Sequence, residues 1–123
     1  MEAIMYRFAS LFIFALALFT ISPNVSGAEA GELLEVYRAR LGTDDHFNSR
    51  GQRLDNAAAI IRQDRANFHR FGIRDDEDQG DSYFASKANR ARLERMLRRG
   101  RATRSVLRQI VNGTPMIRVR IYS

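Results

Sequence analysis

A run of alternating residues near the C-terminal end does most to limit how this chain can fold. From Met116 to Tyr122, Ile117, Val119 and Ile121 alternate with Arg118, Arg120 and Tyr122, the period of a half-buried strand rich in β-branched side chains. A lone strand leaves its backbone N–H and C=O groups unpaired, so it needs a partner. The one good candidate is Leu34 to Leu41, where Tyr37, Ala39 and Leu41 alternate with Val36, Arg38 and Arg40. The expected fold class is therefore α+β, with a small two-stranded antiparallel sheet formed by the two ends of the mature chain.

Three helices are expected between those strands. The first runs from about Leu54 to Phe71, with Ala57, Ala58, Ile61, Phe68 and Phe71 near one face and Gly72 as its stop. The second runs from about Ser82 to Arg99, capped by Asp81 or Ser82, with Leu93, Met96 and Leu97 on one face and Gly100 as terminator. The third covers Arg104 to Asn112 behind a Thr103 cap, carries Val106, Leu107, Ile110 and Val111, and ends at Gly113 and Pro115.

The start of the chain reads as a secretory leader. Arg7 precedes an apolar run from Phe8 to Ile21, and Ser22 and Pro23 end it. At about 14 residues this run has signal-peptide length and falls short of the roughly 20 needed to cross a bilayer, so no transmembrane anchor is expected after cleavage. Small residues at Ser26 and Ala28 fit cleavage near Ala28, with Ala30 as a second site. Residues 1–28 are thus a signal peptide and 29–123 a single small α+β domain, placed in the periplasm or secreted. With no cysteine in the chain, the domain has no disulfide framework and no thiolate metal site and must stand on packing alone.

The net charge is +6, and of 20 basic residues only Lys87 is lysine. Arginine makes bidentate contacts to phosphate and carboxylate that lysine makes poorly. The second helix carries a stripe of Arg92, Arg95 and Arg99, the candidate contact to an anionic partner, either an acidic protein or an anionic lipid or glycolipid. Nucleic acid is disfavoured by compartment, and oligomeric state is left open.

Other polar clusters point less clearly to chemistry. The acidic block Asp75, Asp76, Glu77, Asp78 and Asp81 begins like a calcium loop, but the twelfth position falls on Ser86 where a bidentate Glu is required. Beside the second helix it complements the helix dipole. The loop Thr43 to Arg53 holds Asp44, Asp45, His46 and Ser49, without a nucleophile elbow or another known nucleophile setting. Two histidines, His46 and His69, do not make a metal set, and no cofactor is expected. Asp64 stands between Ile61 and Phe68 on the apolar stripe; a carboxylate there needs a partner, such as Arg50, Arg53 or an arginine of the second helix.

The segments RGQRL, IIRQDRANFHRFG, ANRARLERML and NGTP, in that order behind a leader, resemble small exported proteins of unknown function from Gram-negative bacteria. That resemblance implies a periplasmic setting and a compact domain and transfers no site residues. Taken together, the expectation is a non-enzymatic binding or interaction protein. The alternative is a small hydrolase or ligand-binding enzyme using the Asp44–His46 loop with Asp64.

Overall fold

A computed structural model describes residues 31–123, together with two short strands, β1 (Met5–Tyr6) and β2 (Phe14–Ala15). The expected leader and its expected cleavage point otherwise lie outside the described residues. The expected sheet is present: β3 (Leu33–Arg40) pairs antiparallel with β4 (Met116–Tyr122), from Leu33 opposite Tyr122 to Arg40 opposite Met116, with one irregularity between Leu33 and Glu35. The strands β2 and β1 continue the sheet beyond β4, through Phe14 opposite Ile121.

Period-2 patterning decides which face is core. Tyr37 lies opposite Val119 and Ala39 opposite Ile117, and all four are buried together with Leu41 and Ile121. The arginines Arg38 and Arg118 face each other on the other side, both exposed.

Helix α1 (Ala57–Ala66) begins later than Leu54 because Asn56 is the cap: its Oδ1 accepts the Ala59 N–H at 2.9 Å. The α-helix then gives way to a π-turn, Asn67–Phe71, which ends where Gly72 takes the left-handed conformation (φ 66°). A π-turn holds more residues per turn than an α-helix, so the stripe of Ala57, Ala58 and Ile61 does not carry through to Phe71. That ring, expected in the core, is 42% exposed.

The second expected helix is two elements. Asp81 Oδ2 accepts the Phe84 N–H at 2.6 Å and starts a 3-10 turn, Tyr83–Ala85. Ser86 then turns extended and caps α2 (Lys87–Arg99), which buries Leu93, Met96 and Leu97. Helix α3 (Arg104–Asn112) has the expected bounds and Thr103 cap, and it buries Ile110. All three helices place side chains in one core with Tyr37, Phe84 and the β4 residues.

The acidic block does something other than flank a helix start. It folds over the outer edge of β3, where Gln79 exchanges two hydrogen bonds with the Arg38 backbone and Asp78 Oδ1 accepts the Arg40 N–H at 2.8 Å. Glu77 pairs with Arg40 Nε at 3.1 Å. The unpaired groups of an edge strand are thereby covered. The block packs so closely that a Cβ at Gly42 would collide with the Asp75 carboxylate.

Candidate functional site

Beneath the sheet, α1 turns two consecutive charged residues inward. Asp64 is 1% exposed and Arg65 is 0% exposed. Arg65 Nε donates to Asp64 Oδ2 at 2.7 Å, and its Nη1 donates to Asp81 Oδ1 at 2.8 Å and to the Gln79 carbonyl at 3.1 Å. The guanidinium lies 4.0 Å from the Tyr37 ring centroid and 4.6 Å from that of Phe68, a cation held between aromatic faces. His69 Nε2 reaches the same Asp81 oxygen at 2.9 Å.

One guanidinium between two buried carboxylates leaves an excess of negative charge, and Asp64 is where it is relieved. Burial pushes the Asp64 carboxyl up to about 8, against the lowering pull of Arg65. Among the described residues its Oδ1 has no hydrogen-bond partner, nor do Tyr37 Oη and Arg65 Nη2. Arg65 itself is held more firmly cationic than usual: burial opposes its charge, and Tyr37, Asp64 and Asp81 more than offset that. The partner of Asp64 is thus its own neighbour, not Arg50, Arg53 or an arginine of α2.

The residues of the polar loop are occupied structurally. Asp45 is buried, accepting the Gly42 N–H and the Asn67 side-chain amide, each at 2.9 Å. His46 is buried with Nδ1 at 2.7 Å from the Gly42 carbonyl and Nε2 at 2.7 Å from the Ile110 carbonyl. Only a ring with a proton on each nitrogen donates to both. Neither nitrogen is available as a base, and Asp44, Asp45, His46 and Asp64 do not meet in either of the two hollows described below. Among the described residues no group of three or more His, Asp and Glu is placed to hold a metal ion.

The arginine stripe lies on a separate surface. Arg95 and Arg99 are exposed, while Arg92 is half-buried and interacts with the Tyr83 hydroxyl. Lys87, Arg90 and Glu94 are spaced three and four apart on a different face of α2.

That second face meets Arg62 and Gln63 of α1 and Arg70 and Phe71 of the π-turn around a cleft of about 260 Å³. Four cations, Arg62, Arg70, Lys87 and Arg90, face one carboxylate, Glu94. Glu94 is already engaged by Arg62 Nη1 at 2.6 Å and Arg98 Nη2 at 2.8 Å. Burial works against its charge, yet those two bonds hold its carboxyl below the usual range.

Arg90 is the unusual member, only 6% exposed and with no carboxylate bonded to it among the described residues. Its Nη1 donates to the Phe84 and Ala85 carbonyls at 2.8 and 3.0 Å, and its Nε and Nη2 have no protein acceptor among the described residues. Burial first, then the nearby Arg62 and Arg70, lower its proton affinity, against the opposing pull of the Asp81 carboxylate.

A second hollow of about 360 Å³ adjoins the first and shares Ser49, Gln63 and Phe71 with it. Its walls include Phe47, Phe71 and Ile73, three of the large apolar side chains that stay exposed, together with Asp44.

Charged residues on an apolar stripe were the signal for these sites. Arg65 stands four after Ile61 and three before Phe68, and Arg90 stands three before Leu93 and seven before Leu97. Both positions are as inward by spacing as Asp64. Comparison with protein-family models, curated proteins and solved structures gave no match.

Proposed function

We propose that this is an exported binding protein, acting in the periplasm or beyond it once the leader is removed near Ala28. In this reading it holds an anionic group of its partner, an acidic protein or an anionic lipid or glycolipid, in the cleft between α1 and α2. The observation that carries the reading is Arg90, almost fully buried and without a carboxylate hydrogen-bonded to it among the described residues, beside three further cations and one already neutralised Glu94. Buried charges are ordinarily paired, and arginine is suited to forked contacts with phosphate or carboxylate. The hydrolase alternative draws less support, because only Asp44 of its four residues reaches either hollow.

Calorimetric titration with inorganic phosphate at low salt tests the cleft against the α2 stripe. Replacing the exposed Arg70 and Lys87 together by Gln is expected to weaken phosphate binding at least tenfold and to flatten its salt dependence. Replacing Arg92, Arg95 and Arg99 by Gln is expected to change it less than twofold. The reverse pattern moves the anion contact to the stripe and removes the cleft reading.

A further inference from the structure

Four exposed or buried cations at one end and an apolar wall at the other make the two adjoining hollows a polarised site. Phe71 lies at the junction, lining both, and Gly72 and the π-turn hold it there instead of in the core. Beyond it Phe47 and Ile73 continue the apolar surface; Ile73 is 45% exposed. Asp44 stands on that second wall, so the far end repels an anion while the cationic end attracts one. The polar groups there are largely satisfied internally, since Asn67 bonds to both Gln63 and Asp45. Guanidinium groups stand over part of this surface, Arg70 over Phe71 at 5.1 Å and Arg53 over Phe47 at 5.6 Å from the ring centroids, and what they leave open, with Ile73, is contact area for hydrocarbon.

We propose that the ligand is a single-chain amphiphile with a phosphate head, the phosphate lying in the cleft of Arg62, Arg70, Lys87 and Arg90 and the chain running across Phe71 toward Phe47 and Ile73. This rests on the reading of the cleft as an anion site. A dianionic head suits four cations of which one carboxylate offsets a single charge, and a bounded pair of hollows suits one chain. A peptide or a bilayer face would need an extended surface.

The test is a series of n-alkyl phosphates from ethyl to octyl, kept below micelle formation, titrated beside inorganic phosphate and the matching neutral alcohols. Affinity is expected to rise with chain length by up to about fourfold per buried methylene and then level off where the chain leaves the hollow. The alcohols are expected not to bind measurably. Replacing Phe47 and Ile73 by Ser, both exposed positions that line only the second hollow, is expected to abolish the chain-length dependence while leaving inorganic phosphate binding unchanged. Replacing Arg70 and Lys87 by Gln is expected to weaken the whole series. Phosphate binding without any chain-length dependence overturns the amphiphile and leaves the anion site standing. Failure of phosphate and every alkyl phosphate to bind overturns both.

Discussion

Replacing Arg65 by Met is expected to cost about 3–5 kcal/mol of folding stability, the usual penalty for removing one partner of a buried ion pair. Methionine fills much of the same volume and keeps the contact with Tyr37 and Phe68, so the loss falls on charge and hydrogen bonding. Without the guanidinium, Asp64 Oδ2 and the Gln79 carbonyl lose their Arg65 donors, and Asp81 Oδ1 keeps His69. Two carboxyl groups are then left in a site with no solvent access. Domains of this size have about 5–15 kcal/mol in total, so the variant stands near the edge of folding. Urea denaturation measures the loss. A cost below about 1 kcal/mol would show that the guanidinium is not the hub of this network.

How much of this was legible in the sequence depends on what each signal measures. The pairing of β3 with β4 followed from two period-2 runs and the need to satisfy backbone groups, and α3 followed from Thr103, its stripe and Gly113. Phe71 was misplaced because apolar spacing assumes an uninterrupted 3.6-residue turn, and nothing in NFHRFG announces a π-turn. The break at Ser86 was hidden because Asp81 and Ser86 both cap well, and only the chain's path shows that both are used. The acidic block was read against its sequence neighbour α2, whereas its partner β3 lies some forty residues earlier in the chain. The cationic cleft was missed for a different reason. Arginines are presumed exposed, so Arg90 was not singled out even though its spacing from Leu93 and Leu97 set it on the inward face.

Stability is expected to fall as pH rises from about 5 to about 8, opposite to the usual behaviour of carboxylates in salt bridges. Burial raises the Asp64 carboxyl to about 8 and the Asp45 carboxyl to about 6, whereas an unfolded Asp titrates near 3.9 (about that value in peptides). Between those limits the folded protein holds protons that the unfolded chain has released. With more protons on the folded state, the free energy of unfolding decreases as pH increases. Both aspartates contribute up to about pH 6, and Asp64 alone from there to about pH 8. At the acid end the sign reverses. Glu35 is desolvated, but bonds from Ser82 and Tyr83 hold it below the usual range, and Glu94 is held down similarly by Arg62 and Arg98. Their contribution is present above about pH 4.5 and is lost as pH falls further. A stability maximum near pH 5 follows, with a decline of a few kcal/mol toward pH 8. Thermal or urea unfolding across pH 4–9 reads this directly, and Asp64→Asn separates the contributions. An amide cannot release the proton, so the variant should lose most of the slope between pH 6 and 8 while keeping the Asp45 segment below it. A wild-type curve that rises through this interval would mean that Asp64 is ionised in the folded protein and that Arg65 serves two carboxylates at once.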